Sequence, residues 1–122
     1  MTKPVSTRPP GKTTIAPNVL LTIARLTTLN VEGVNQMSHL PGGVNRVFDR
    51  GYEEGVRIRI EGDHVFADLY VILDHDVNVR EVSRNIQYEV SRAISEMVGM
   101  EVGRVNVHIE DIYYPPEVET EE

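Results

Sequence analysis

The sequence predicts an α+β fold: a two-layer sandwich in which a small, mostly antiparallel sheet carries two amphipathic helices on one face. Three observations point there. Of 49 apolar residues among 122, 27 are Val or Ile, a β-branched excess that favours strands. Two stretches, one after Pro17 and one after Asn78, repeat apolar residues three or four apart, as the buried stripe of a helix does. Between them, Val56, Ile58 and Ile60 alternate with Arg57, Arg59 and Glu61 ahead of Gly62-Asp63, a two-residue turn of the kind hairpins favour. The predicted order is β-α-β-β-α-β.

Thr13 to Ala16 read as a short opening strand. Pro17 suits the first turn of a helix, where its missing N–H costs nothing. Val19, Leu20, Ile23, Ala24 and Leu26 then form a stripe through about Leu29, and Val31-Glu32-Gly33-Val34 ends the helix. Residues 35–55 read as irregular, with Pro41-Gly42-Gly43 as a loop signal. Folding about Gly62-Asp63 sets Glu61 opposite His64, Ile60 opposite Val65, Arg59 opposite Phe66, Ile58 opposite Ala67, Arg57 opposite Asp68 and Val56 opposite Leu69. One face is then wholly apolar, and a one-residue slip would destroy the pattern. The second strand continues to Leu73. Asn78 is a suitable N-cap for the second helix, with Glu81 at the capping-box position. Val79, Val82, Ile86, Val90, Ala93 and Met97, with Ile94 beside them, line its buried side, and Gly99 stops it. In the last strand Val105, Val107 and Ile109 alternate with Asn106, His108 and Glu110, running on to Ile112.

One domain suits this length. Residues 1–12, with three Pro and a charge of +3, read as a disordered arm; residues 13–114 form the folded unit; residues 115–122 read as a disordered acidic tail. The net charge is −7, and an acidic body argues against general nucleic-acid binding, which neutralises phosphates with Lys and Arg. With no Cys, disulfide scaffolds, thiol catalysis and Cys-based metal sites are excluded. No apolar run approaches the roughly 18–20 residues that span a bilayer, and the N-terminus lacks an apolar signal region. The expectation is a chain neither membrane-embedded nor exported by the usual route.

Taken in order, several segments resemble the alkaline-shock protein family of bacteria, a group of envelope-stress and general-stress proteins. The likeness covers about residues 11–112. It rests on Gly11 to Ala16, Val31-Glu32-Gly33-Val34, Gly55-Val56, Asn78-Val79-Arg80-Glu81-Val82, Ile86-Gln87, the run Glu96 to Val102, and Val105-Asn106-Val107. The resemblance implies a non-enzymatic cytoplasmic protein that acts at the inner face of the cell membrane. Some family members are held there by a separate small membrane-anchored protein partner, and some self-associate. It supplies no catalytic motif, cofactor or metal to carry over, and membrane contact would be indirect.

The residues themselves offer few chemical alternatives. Asp74-His75-Asp76 could hold a divalent metal, but three adjacent side chains rarely point at one ion; a strand-to-helix loop explains them better. His39, His64, His75 and His108 form no zinc-binding pattern. Ser38, Ser83, Ser91 and Ser95 lack a nucleophile elbow. Gly51 to Gly55 encloses two acids, which repel phosphate, and Gly11-Lys12-Thr13 lacks the upstream glycine of a phosphate loop. Arg46, Arg50, Arg57 and Arg59 concentrate four of ten arginines in fourteen residues. They form either a patch for an anionic partner or a solvated face balanced by nearby acids. Phe66, Tyr70 and Ile72 fall on the hairpin face away from the predicted helices, so they are either an interface or a surface covered by residues 35–55.

The functional expectation is an envelope-stress interaction module. Arg57, Arg59, Phe66, Tyr70 and Ile72 would carry its binding, to a membrane-anchored protein or to itself, with no cofactor and no nucleic acid. A small RNA-binding domain, or a metal or small-molecule sensor, is the alternative.

Overall fold

The structure, a computed structural model, describes residues 10–39, 52–53 and 55–116. Most of the predicted arm, the Pro41-Gly42-Gly43 loop and the tail after residue 116 lie outside the described residues. The elements are α1 (Pro17–Leu29), β1 (Val34–Met37), β2 (Tyr52–Glu53), β3 (Val56–Glu61), β4 (His64–Asp74), α2 (Val79–Val98) and β5 (Glu101–Tyr113). They form the predicted α+β two-layer sandwich.

The centre of the sheet is β4. One of its edges pairs in parallel with β5 along its whole length. The other is shared by β3, opposite residues 64–69, and β1, opposite residues 71–73, both antiparallel; β2 adds to β3. The hairpin has the predicted register at all six positions, from Val56↔Leu69 to Glu61↔His64. Along β4, Val65, Ala67, Leu69, Val71 and Leu73 are fully buried and alternate with half-buried residues. They pack in one core with Leu20, Leu21 and Ala24 of α1 and Val82, Ile86, Val90 and Ile94 of α2. Both helices therefore cover the same face of the sheet.

The structure corrects four local expectations. Thr13 to Ala16 form no strand: residues 11–16 are exposed, and both edges of β4 are already occupied by β5 and by β3 with β1. The stripe of α1 is rotated. Its buried residues are Leu20, Leu21, Ala24 and Thr28, while Val19 and Leu26 are 42% and 49% exposed. A polar residue could take the fourth place because the Thr28 hydroxyl donates to the Ala24 carbonyl at 2.7 Å, which removes the cost of burying it. On α2 the buried stripe is Val82, Ile86, Val90 and Ile94, four residues apart, and Val98 continues it against the core, so Met97 falls to one side and is 69% exposed. Residues 35–55, read as irregular, contribute the end of β1 and the short β2.

The ends of α2 are built as predicted. Asn78 accepts the Glu81 backbone N–H at 3.0 Å, satisfying one donor of the first turn. Gly99 closes the helix in the left-handed conformation at φ 79°, which a side chain would strain. Replacing Asn78 by Ala should cost about 1 kcal/mol, read as a lower urea midpoint with an unchanged slope.

Candidate interaction face of the sheet

The face that the helices leave open is made by alternate residues of three strands. From β3 come Arg57 and Arg59; from β4, Phe66, Asp68, Tyr70 and Ile72; from β5, Arg104, Asn106 and His108. The ladders set Arg59 opposite Phe66 and Arg57 opposite Asp68 on one side of β4. On the other side Phe66 meets Arg104, Asp68 meets Asn106, and Tyr70 meets His108. Side chains on one face of a sheet stand close enough across strands to interact directly.

Two clusters result. The Arg59 guanidinium lies 4.6 Å above the Phe66 ring, and its Nε donates to Glu61 at 2.8 Å. This cation–π contact keeps the arginine flat against the sheet. Phe66 also rests on Gly103, where a Cβ would sit 2.4 Å from the ring edge. In the second cluster Asp68 Oδ1 accepts from Asn106 Nδ2 at 3.0 Å and meets His108 Nε2 at 3.1 Å. The His108 ring stacks on Tyr70, with centroids 4.4 Å apart and planes 13° from parallel. Partial burial pushes the Tyr70 hydroxyl pKa up, the Asp68 charge adds to that, and Arg57 opposes it. Tyr70 therefore stays protonated at neutral pH and presents a hydrogen-bond donor on an aromatic surface.

All five residues singled out from the sequence occupy this face. Arg57 is exposed and Arg59 keeps 59% of its side chain accessible; Phe66, Tyr70 and Ile72 are half-buried. Ile72 stands apart from the other four. It borders a depression at the β1 edge, lined also by Gln36, Met37, Ser38 and His39 and by Arg25 and Leu29 of α1. Arg46 and Arg50 lie outside the described residues. Sequence reasoning misses the joint role of Asp68, Asn106 and His108, because it depends on pairing between strands some forty residues apart. The alternation of Asn106 and His108 with Val105, Val107 and Ile109 is the available signal, and it places both on the side away from the core.

The remaining chemical candidates scatter. Asp74 accepts from Asn35 Nδ2 at 3.0 Å, while His75 turns toward Asp76, 3.7 Å away, and toward the Tyr114 ring. Among the described residues, no three metal-ligating side chains converge. Ser83, Ser91 and Ser95 lie on α2, in the opposite layer from His108. The open face therefore offers aromatic rings, an aliphatic side chain and guanidinium groups, of which Arg59 is held against Phe66.

Comparison with known proteins agrees with the fold. The model of the ASP23 family, described as having a cell envelope-related function, matches residues 6–114. The uncharacterized protein Spy1535 of Streptococcus pyogenes serotype M6 is 36% identical over 103 residues, covering 84% of this chain and 79% of that one. The uncharacterized protein YqhY of Bacillus subtilis is 26% identical over 106 residues, 85% of this chain and 78% of its own. Among solved structures, the copper form of MamM CTD superposes with a TM-score of 0.55 at 14% identity, over 84% of this chain and 92% of that one. At that identity the likeness concerns fold alone.

Proposed function

We propose a function from one premise: the chain belongs to the ASP23 family of alkaline-shock-like proteins, whose function is related to the cell envelope. On our reading it is a non-enzymatic interaction module that works at the cytoplasmic face of the membrane through a membrane-anchored protein partner. Among the described residues no helix is long and apolar enough to cross a bilayer. The observation that carries the reading is the open sheet face. One side of β4 is sealed by both helices, while the other keeps Phe66, Tyr70 and Ile72 half-accessible, with Arg59 across from Phe66 and Arg57 across from Asp68. Apolar and aromatic residues with arginines at one end have the composition of a protein-contact surface.

The test is capture from detergent-solubilised membranes of the native host by the tagged full-length chain. The wild type should retain a transmembrane protein that the F66S/Y70S variant loses, with both variants equally folded by circular dichroism. Equal retention by the variant would overturn the assignment of this face. A second reading rests on the same residues: Phe66, Tyr70 and His108 with three nearby arginines could stack and neutralise single-stranded RNA. Salt-sensitive binding of an RNA oligonucleotide, abolished in the same variant, would favour it. The net charge of −7 opposes it.

A further inference from the structure

The outer edge of β5 carries an inference independent of the open face. Among the described residues β5 pairs with β4 alone, so thirteen residues of strand present one edge without a partner strand, where the Val105 carbonyl accepts from the Gln87 side chain. Exposed edges of this length are templates for pairing with another strand. Which groups point outward follows from the hydrogen bonds of β4. The Tyr70 N–H donates to the Gly55 carbonyl, and the Tyr70 carbonyl accepts from the Ser38 N–H. Even-numbered residues of β4 therefore serve the β3 and β1 edge, and odd-numbered ones serve β5. In a parallel ladder a residue bonds to the two neighbours of the residue it faces. Leu69 faces Val107, so its bonds go to Asn106 and His108, and the N–H and C=O of Val105, Val107 and Ile109 point away from the sheet. The Gln87 side chain of α2, which donates to the Val105 carbonyl at 3.1 Å, agrees with that direction.

The edge is also self-complementary. About Val107 the sequence has the same chemical pattern read forwards or backwards: Val105 mirrors Ile109, Asn106 mirrors His108, and Val102 mirrors Ile112. Irregularities in the ladder set Gly103 and Glu110 as extra residues on either side of this centre. In an antiparallel copy the two bulges would flank the pair of Arg104 with Asp111, Glu110 on its inner side and Gly103 on its outer side. Three steps from Val105 to Val102 then match three steps from Ile109 to Ile112, and the alternation between faces survives. Arg104 would face Asp111 of the second copy, with Glu110 beside it, twice by symmetry. Val107, Ile109 and Ile112 are only half-buried where the β4 residues beside them are fully buried, so a neighbouring strand would complete their cover.

We propose that two copies of this chain pair antiparallel along β5, centred on Val107, to make one continuous sheet. The contact is isologous, so it uses both edges and closes at a dimer. Sedimentation of the full 122-residue chain across concentration tests it. The wild type should show a monomer–dimer equilibrium. Val107→Pro should weaken it at least tenfold with an unchanged circular dichroism spectrum, because the lost N–H faces away from β4. Arg104→Asp and Asp111→Arg should each weaken it, and the double substitution should restore it, since the facing pairs again join opposite charges. A monomer at all concentrations would overturn the proposal. So would a dimer indifferent to Val107→Pro in a folded variant, or a double variant no better than the singles. If Val107→Pro fails to fold, the charge exchange decides alone.

Discussion

Leu69→Ala should destabilise the domain by about 3 kcal/mol, within the range of roughly 2–5 kcal/mol for emptying a fully buried leucine site. Leu69 has no exposed surface and stands at the crossing of both ladders, facing Val56 on β3 and Val107 on β5. The core around it is built largely of Val and Ile. Such side chains are restricted at χ1, so neighbours cannot readily swing in to fill the space. For a domain with total stability of about 5–15 kcal/mol, this is a large fraction. Equilibrium urea unfolding measures it, as a lower midpoint at constant slope. Ile60→Ala is the matched control. Ile60 lies on the same hairpin face but is 46% exposed, beyond the cover of the helices, and should cost below about 1 kcal/mol. A loss at Leu69 no larger than at Ile60 would mean that the centre of the sheet is not the centre of the core.

That contrast marks how far the sequence can be read. Alternation places Ile60 and Leu69 on one face with equal force; only the reach of the helices separates them. Local signals are reliable where the partners lie close in sequence. The hairpin about Gly62-Asp63, the Asn78 cap and the Gly99 stop all depend on neighbours a few residues away. The stripe of α1 is harder, because Thr28 counts as polar until its hydroxyl finds the Ala24 carbonyl. Thr13 to Ala16 resemble a strand in composition but have no edge of β4 left to join. Pairing between distant segments is least legible. Nothing in residues 101–113 states that they join β4 in parallel, or that Gly103 and Glu110 interrupt the ladder.

The candidate site divides along the same line. Arg57, Arg59, Phe66, Tyr70 and Ile72 can be assigned to one face because alternation within a hairpin settles it. The cluster of Asp68 with Asn106 and His108 cannot, since it spans 38 to 40 residues of chain. Its effect is to immobilise the middle of the face. Asp68 is held by two neighbours and Tyr70 by the His108 ring, which restricts both side chains. Pre-organisation of this kind lowers the ordering cost of binding.

Gly103→Ala should cost about 1–3 kcal/mol, the usual penalty for forcing extra volume into a packed site. A Cβ there would lie 2.4 Å and 2.7 Å from two atoms of the Phe66 ring, so the ring must move, and Arg59 stacked above it must move too. The position is not one of the glycines held at positive φ, so space rather than backbone strain is the cause. A double-mutant cycle separates these causes. If the ring is what the methyl meets, Gly103→Ala should cost little in a Phe66→Ala background, with a coupling of about 0.5–3 kcal/mol between the two sites. A cost that persists without the ring would instead place the strain in the β5 bulge itself. The same variant bears on function, because it displaces Phe66 and Arg59 without altering either residue. If the open face is the binding surface, Gly103→Ala should reduce partner capture in the same direction as the F66S/Y70S variant. Unchanged capture alongside a measured coupling would show that the Phe66–Arg59 end of the face is structural, and would confine recognition to Arg57, Tyr70 and Ile72.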